Sequence, residues 1–143
     1  MKFISKTFSE LSPDELYEIL KSRAQIFMIE QNIICLDMDD LDRVCLHCFF
    51  FEDNRVKAYL RAFSQDTATV TIGRVLTHEH GKGIGRELMT KGIEEVKKHF
   101  GCKKICVHAQ KQAVAFYEKM GFTIVSDEYL KEGIVHVTME MEV

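Results

Sequence analysis

The run Val75-Leu76-Thr77-His78-Glu79-His80-Gly81-Lys82-Gly83-Ile84-Gly85-Arg86-Glu87-Leu88 constrains this chain more than any other. It reads as a strand, a short loop of alternating glycines and the opening of a helix. The first turn of a helix holds four backbone N–H groups without intrahelical partners, at the positive end of the dipole. Glycines at 81, 83 and 85 clear side chains away from those amides, and Lys82 and Arg86 add positive charge. Such a loop suits a pyrophosphate. A nucleotide-hydrolysing P-loop needs GxxxxGK followed by Ser or Thr, and no such string occurs. A dinucleotide fingerprint fails as well, because its third glycine falls on Arg86 or Leu88. An unliganded glycine loop between strand and helix stays open on this segment alone.

The rest of the chain reads as one domain of 143 residues with no repeats, low-complexity stretches or linker. Ser12-Pro13-Asp14-Glu15 is a helix start, with Ser12 as N-cap, Pro13 at the first position and Glu15 closing a capping box. Leu16, Ile19, Leu20 and Arg23 share a face and lead into a second helical piece around 24–31. Leu46–Phe51 and Val56–Phe63 flank Glu52-Asp53-Asn54-Arg55 as a hairpin. In the strand 69–77, Val70 and Ile72 alternate, then the apolar phase slips to Val75 and Leu76. That slip predicts a β-bulge at Gly73-Arg74, which splays the strand from its neighbour. A helix over 83–99, a strand over 104–109, a helix over 112–120 and a strand over 122–126 follow. Residues 134–143 alternate cleanly, and an exposed terminal strand there allows a homodimer. The whole is an α/β (α+β) sandwich around one βαβ unit.

A net charge of −3 offers no electrostatic case for nucleic acid or an anionic membrane as partner. Five cysteines, an odd number, argue against a disulfide framework and for a reducing compartment. No apolar run approaches a membrane span and the N-terminus is too polar for a signal peptide, so the expected location is cytoplasmic.

The segment Gln110-Lys111-Gln112-Ala113-Val114-Ala115-Phe116-Tyr117-Glu118-Lys119-Met120-Gly121-Phe122 follows the strand-like run 104–109. A GKGIG loop, a helix, a strand and then AxxFYEKxGF resembles the GNAT superfamily of acyl-CoA N-acyltransferases. Phe27-Met28-Ile29-Glu30-Gln31-Asn32, Ile72-Gly73-Arg74-Val75, Ala109-Gln110 and Gly133-Ile134-Val135-His136 resemble its small ElaA-like branch. GCKKI…FYEKMGF is also similar to amino-sugar-phosphate N-acetyltransferases. The superfamily loop reads Gln/Arg-x-x-Gly-x-Gly/Ala; here His80 takes the first place, while Gly83 and Gly85 stand as expected. The resemblance implies a mixed, mostly antiparallel sheet with a central splayed βαβ unit and helices on both faces. It implies acetyl-CoA as co-substrate, with no metal, and transfer of the acetyl group to a small-molecule or protein amine.

What the resemblance implies for single residues follows the demands of acyl transfer. Lys82, Gly83, Ile84, Gly85 and Arg86 would hold pyrophosphate. The strand end Val75, Leu76 and Thr77 would line the pantetheine slot, with a backbone N–H polarising the thioester oxygen. Gln110 stands where the superfamily often has Asn; it would bond the pantetheine arm or merely cap a strand end. Phe116 and Tyr117 would complete the cofactor contact, and Tyr117 would protonate the leaving thiolate or position the sulfur.

An alkyl amine of pKa near 10.4 is neutral in only about one molecule in 2,500 at pH 7, so a base is valuable. Glu30, His108 and His136 are candidates, as are Asp37, Asp39, Asp40 and Asp42. The acidic run 37–42 reads as a solvated loop or a lure for a cationic amine, and lacks the glycine and glutamate of a calcium loop. Arg74 would pair with these acids or bind a substrate carboxylate. In Cys45-Leu46-His47-Cys48 one cysteine points away from the other two ligand types, and no second pair follows, which disfavours zinc. No cysteine is placed for an acyl-enzyme. A non-catalytic acyl-CoA sensor and an unliganded interaction domain remain as rival readings.

Overall fold

Strand-forming residues dominate both halves of the chain, and they assemble into one sheet that the helices cover. The computed structural model describes residues 1–143. In chain order it contains β1 (Lys2–Thr7), α1 (Pro13–Arg23), a π-helical segment (Ala24–Glu30), β2 (Leu46–Glu52), β3 (Arg55–Ser64) and β4 (Thr69–Thr77). Then follow α2 (Ile84–Phe100), β5 (Lys104–Gln110), α3 (Val114–Met120), β6 (Thr123–Ile124), β7 (Tyr129–Lys131) and β8 (Ile134–Glu142). The sheet order is β1-β2-β3-β4-β5-β8-β6, with β7 also on β8. Only β4 and β5 run parallel, joined by the α2 crossover.

Two apolar layers hold the sheet. On one face Leu60, Ile72, Val107, Val137 and Met139 pack against Leu88, Met89 and Val96 of α2 and Tyr117 of α3. Gly92 of α2 lies so close to β3 that a Cβ there would come within 2.7 Å of Leu60 Cδ2. On the other face Phe49, Tyr59 and Leu76 pack against Ile19 of α1 and Ile26 of the π-helical segment. The predicted capping box forms, with Glu15 N–H donating to Ser12 Oγ and Ser12 N–H donating to Glu15 Oε1.

The phase slip in β4 is a bulge. Gly73 pairs with Arg61 and Leu76 with Tyr59, so Arg74 and Val75 together face Leu60. Before the bulge Val70 and Ile72 face the α2 core; after it Val75 does, and Leu76 joins the α1 side. Arg74 takes φ 54, a left-handed conformation that costs a side-chain-bearing residue about 1 kcal/mol.

Three expectations need correction. β8 is paired on both sides, by β5 and by β6 and β7, so it is no free edge for a second copy. The 122–126 strand shrinks to Thr123–Ile124, because the chain turns away before re-pairing as β7. The 112–120 helix starts as a 3-10 turn over Lys111–Ala113, and its α-helical part begins at Val114.

Candidate active site

The bulge decides where β4 and β5 part. Their parallel pairing runs from Thr69/Lys104 to Ile72/Val107 and stops there. Beyond it β5 bonds only β8, through His108/Thr138 and Gln110/His136. Val75 to Thr77 therefore border an open slot on the β5 side. His78 N–H donates to Lys57 O at 3.1 Å, which fixes the phase of this strand. By strand alternation Leu76 turns its amide to β3, while Val75 and Thr77 turn theirs into the slot. Leu76 thus lines the slot from behind, with its side chain buried in the α1-side core.

At the end of the slot the glycine loop meets α2. Gly81 and Gly83 both have positive φ, 77 and 73, where a side chain would be strained. Gly83 is the N-cap and has no side chain to satisfy the first-turn amides, so those of Ile84, Gly85 and Arg86 lie open. A groove of about 280 Å³ lies against them, lined by Thr77, the 79–86 loop and Phe116. A Cβ on Gly85 would fill its floor, 3.5 Å from Thr77 Cγ2 and 3.6 Å from Phe116 Cε1. Arg86 makes no ion pair, and Lys82 is held only by Glu79 at 3.1 Å on the surface. These features suit a diphosphate bound by backbone amides.

Tyr117 is buried, 8 % exposed, between Phe116 and Phe122, each edge-on to it at 5.2 and 5.7 Å. Its hydroxyl has no partner in the chain, and burial alone pushes its pKa up to about 12. It is therefore a donor at every physiological pH.

The candidate bases do not converge on one point. Glu30 is exposed and faces His80 Nε2 at 3.5 Å, at the glycine-loop end of the slot. Its neighbour Gln31 accepts from Gln110 Nε2 at 3.0 Å. Residues 30 and 31 thus touch both lips of the slot, one through the glycine loop and one through β5. Gln110 is further engaged by Gln112. His108 Nδ1 lies 2.8 Å from the Tyr129 hydroxyl. Desolvation, then the charges of Lys131 and His136, hold its pKa below the ordinary imidazole value, so it is neutral at pH 7.

The acidic run is not a solvated lure. Asp37 binds Arg23 Nε and Arg74 Nε, both at 2.8 Å; Asp39 binds Arg61 at 2.6 and 2.8 Å; Asp42 binds Arg23 at 2.7 Å and Arg61 at 2.9 Å. Arg23 is fully buried. Hydrogen bonding to Arg61 holds Asp39 well below the usual carboxylate range. For Asp42 burial pushes the other way, and the bonds to Arg23 and Arg61 outweigh it. The network ties the end of α1, the loop, β3 and the bulge together, and it holds Arg74 in its strained conformation. His47 completes it: Nε2–H donates to Asp42 O at 2.9 Å, leaving Nδ1 to accept from Tyr59 at 2.7 Å.

Sequence reasoning missed Tyr129, Lys131 and the partners Arg23 and Arg61. Glu132-Gly133, with φ 52 and 75, is a two-residue turn between Lys131 and Ile134, and its glycine was the available hairpin signal. Nothing local in the sequence announces a buried arginine.

A family model described as an acetyltransferase (GNAT) domain matches residues 39–143. The chain is 36% identical, over 146 aligned positions, to a UPF0039 protein of Schizosaccharomyces pombe, covering 99% of this chain and 97% of that one. It is 35% identical over 141 positions to protein ElaA of Escherichia coli strain K12, covering 94% and 92%. The crystal structure of E. coli ElaA superposes with a TM-score of 0.93 at 31% identity, over 99% of this chain and 100% of that chain. An acyl-CoA N-acyltransferase from Pseudomonas aeruginosa superposes with a TM-score of 0.92 at 28% identity, over 99% of both. The split strands, the open helix start and these matches agree, and the chain belongs to the acetyltransferase (GNAT) domain family, in its ElaA-like branch.

Proposed function

We propose that this protein transfers the acetyl group of acetyl-CoA directly to a primary amine bound beside it. The observation that carries the reading is the slot: β4 and β5 part at Ile72/Val107 and leave the Val75 and Thr77 amides facing a gap that ends at an open helix start. The family supplies the reaction class, acyl transfer from an acyl-CoA.

In this reading the amides of Ile84, Gly85 and Arg86, with the charges of Lys82 and Arg86, hold the pyrophosphate. The Val75 or Thr77 N–H polarises the thioester oxygen as negative charge builds on it. Gln110 and Phe116 flank the pantetheine arm. Tyr117 donates its hydroxyl hydrogen to the departing sulfur. With the phenol near 12 and a thiol near 8.5, complete proton transfer is uphill by about 5 kcal/mol. Tyr117 therefore stabilises the thiolate through a hydrogen bond and leaves its final protonation to solvent. His108, neutral at pH 7, takes the amine's proton, directly or through a water; Glu30 instead lies against His80 of the glycine loop.

Initial velocities with both substrates varied test the direct route. Intersecting double-reciprocal lines are expected. Parallel lines would require an acyl-enzyme and overturn it. Coenzyme A binding without turnover on any amine would support an acyl-CoA-binding sensor instead.

A further inference from the structure

Beside the slot, β5, β8 and β7 present one polar face. Gln110 is in register with His136, His136 with Tyr129, and His108 with Thr138. Side chains of paired residues, and of residues two apart on a strand, share a face, so Lys131 stands there too. The reverse of the same strands is apolar core, formed by Val107, Ala109, Val137 and Met139.

The side chains of this face bond one another. The Tyr129 hydroxyl lies 2.8 Å from His108 Nδ1 and 3.0 Å from Thr138 Oγ1, and its ring stacks on His136 at 6.1 Å. His136 Nδ1–H donates to Ile134 O at 2.7 Å. Its formal charge comes from Lys131, which makes no ion pair; the charges it feels are led by Arg74 and Arg61. Of the carboxylates that act on it, Asp39 is held by Arg61, while Glu132, in the adjoining turn, makes no ion pair. Asp37, Asp39 and Asp42 are held by three arginines, Glu140 by Lys104 and Glu128 by Lys111. A polyamine would meet an ammonium here on which Arg74 and Arg61 act more strongly than Glu132, the one unpaired carboxylate that acts on it.

From this juxtaposition we infer that the acceptor is a primary amine that also carries a carboxylate, with Lys131 as the carboxylate's partner. The inference rests on the acetyltransferase reading and names the substrate class of the same site. The amine nitrogen lies on the slot side, next to His108, and the carboxylate lies toward the β7–β8 turn. Lys131 sets specificity and does not touch the reacting atoms.

The test uses matched pairs that differ only in the carboxylate: an amino acid and the amine left by its decarboxylation, such as lysine with cadaverine and histidine with histamine. Acetyl-CoA-dependent thiol release is measured for each member. The carboxylate member is expected to have kcat/KM higher by about tenfold, the order of one charge-assisted hydrogen bond. Lys131→Ala should bring the two members to within about twofold, and Lys131→Glu should reverse the preference. Both variants alter an exposed hairpin residue, and a circular-dichroism melt matching that of wild type reports that they are folded. Turnover with equal or reversed preference in the wild type, or a preference that survives Lys131→Glu, would overturn the inference and leave the acetyltransferase reading standing. No turnover on either member of any pair would overturn both.

Discussion

Replacing Arg86 by alanine should move stability and ligand affinity in opposite directions. Arg86 is an exposed residue in the first turn of α2 and makes no ion pair. A cation there opposes the helix dipole, so its removal should stabilise the ligand-free protein by about 0.5 kcal/mol, or about 1–2 °C in melting temperature. The same guanidinium stands beside the open amides of Ile84 and Gly85, where the pyrophosphate is proposed to sit. Losing one charge-assisted hydrogen bond costs roughly 1.5–3 kcal/mol, a loss of about ten- to a hundredfold in coenzyme A affinity. Calorimetric titration with coenzyme A and a thermal melt of the same sample read both effects. Lys98→Ala, in the last turn of α2, is the control; it removes a cation that favours the negative end of the dipole, so it should lower stability slightly and leave affinity unchanged. Affinity within twofold of wild type in Arg86→Ala would refute the assignment of this loop to pyrophosphate.

Two further outcomes follow from buried groups. Tyr117→Phe keeps the ring between Phe116 and Phe122 and removes a hydroxyl with no partner in the chain, so the melting temperature should hold while kcat falls at least about tenfold. Because burial raises the Tyr117 pKa to about 12, the wild-type rate should show no Tyr-dependent loss up to pH 10, which a pH–rate profile checks. The arginine network gives a pH-dependent stability. Asp39 and Asp42 have lowered folded-state pKa values, so their contribution is complete above the unfolded value near 3.9 and fades as pH falls through the lower folded values. Urea melts between pH 2 and 5 should lose stability steeply below about pH 4, and Asp42→Asn, which leaves buried Arg23 short of a counter-charge, should cost about 3–5 kcal/mol at pH 7.

Much of this architecture was legible because local signals agreed with the final packing. The capping box at Ser12, the Asp53-Asn54 hairpin turn, the helix expected over 83–99 and found at Ile84–Phe100, and the bulge at Gly73-Arg74 all rest on short-range pattern, and all recur in the fold. The bulge was readable because a shift in phase by one residue exchanges the two faces of a strand. The glycine loop was readable for a similar reason: positive φ and open amides leave a compositional trace. The acidic run was misleading, since what neutralises it comes from residues 14 to 37 positions away. Arg74 is a partner that the sequence offers and does pair with Asp37, whereas nothing in the charges along the chain marks Arg23 and Arg61. The polar face of β5, β8 and β7 was hidden likewise, because β7 is only three residues long and gains its meaning from register with β8.

Amine-dependent release of free coenzyme A thiol, with the acetylated amine counted in the same reaction, tests most directly whether acetyl-CoA gives up its acetyl group to an amine on this protein. Thiol and acetylated amine should rise together, one for one, with no release beyond background when the amine is omitted. Release that is independent of amine, or tight coenzyme A binding with no release on any carboxylate-bearing or simple amine, would contradict the account.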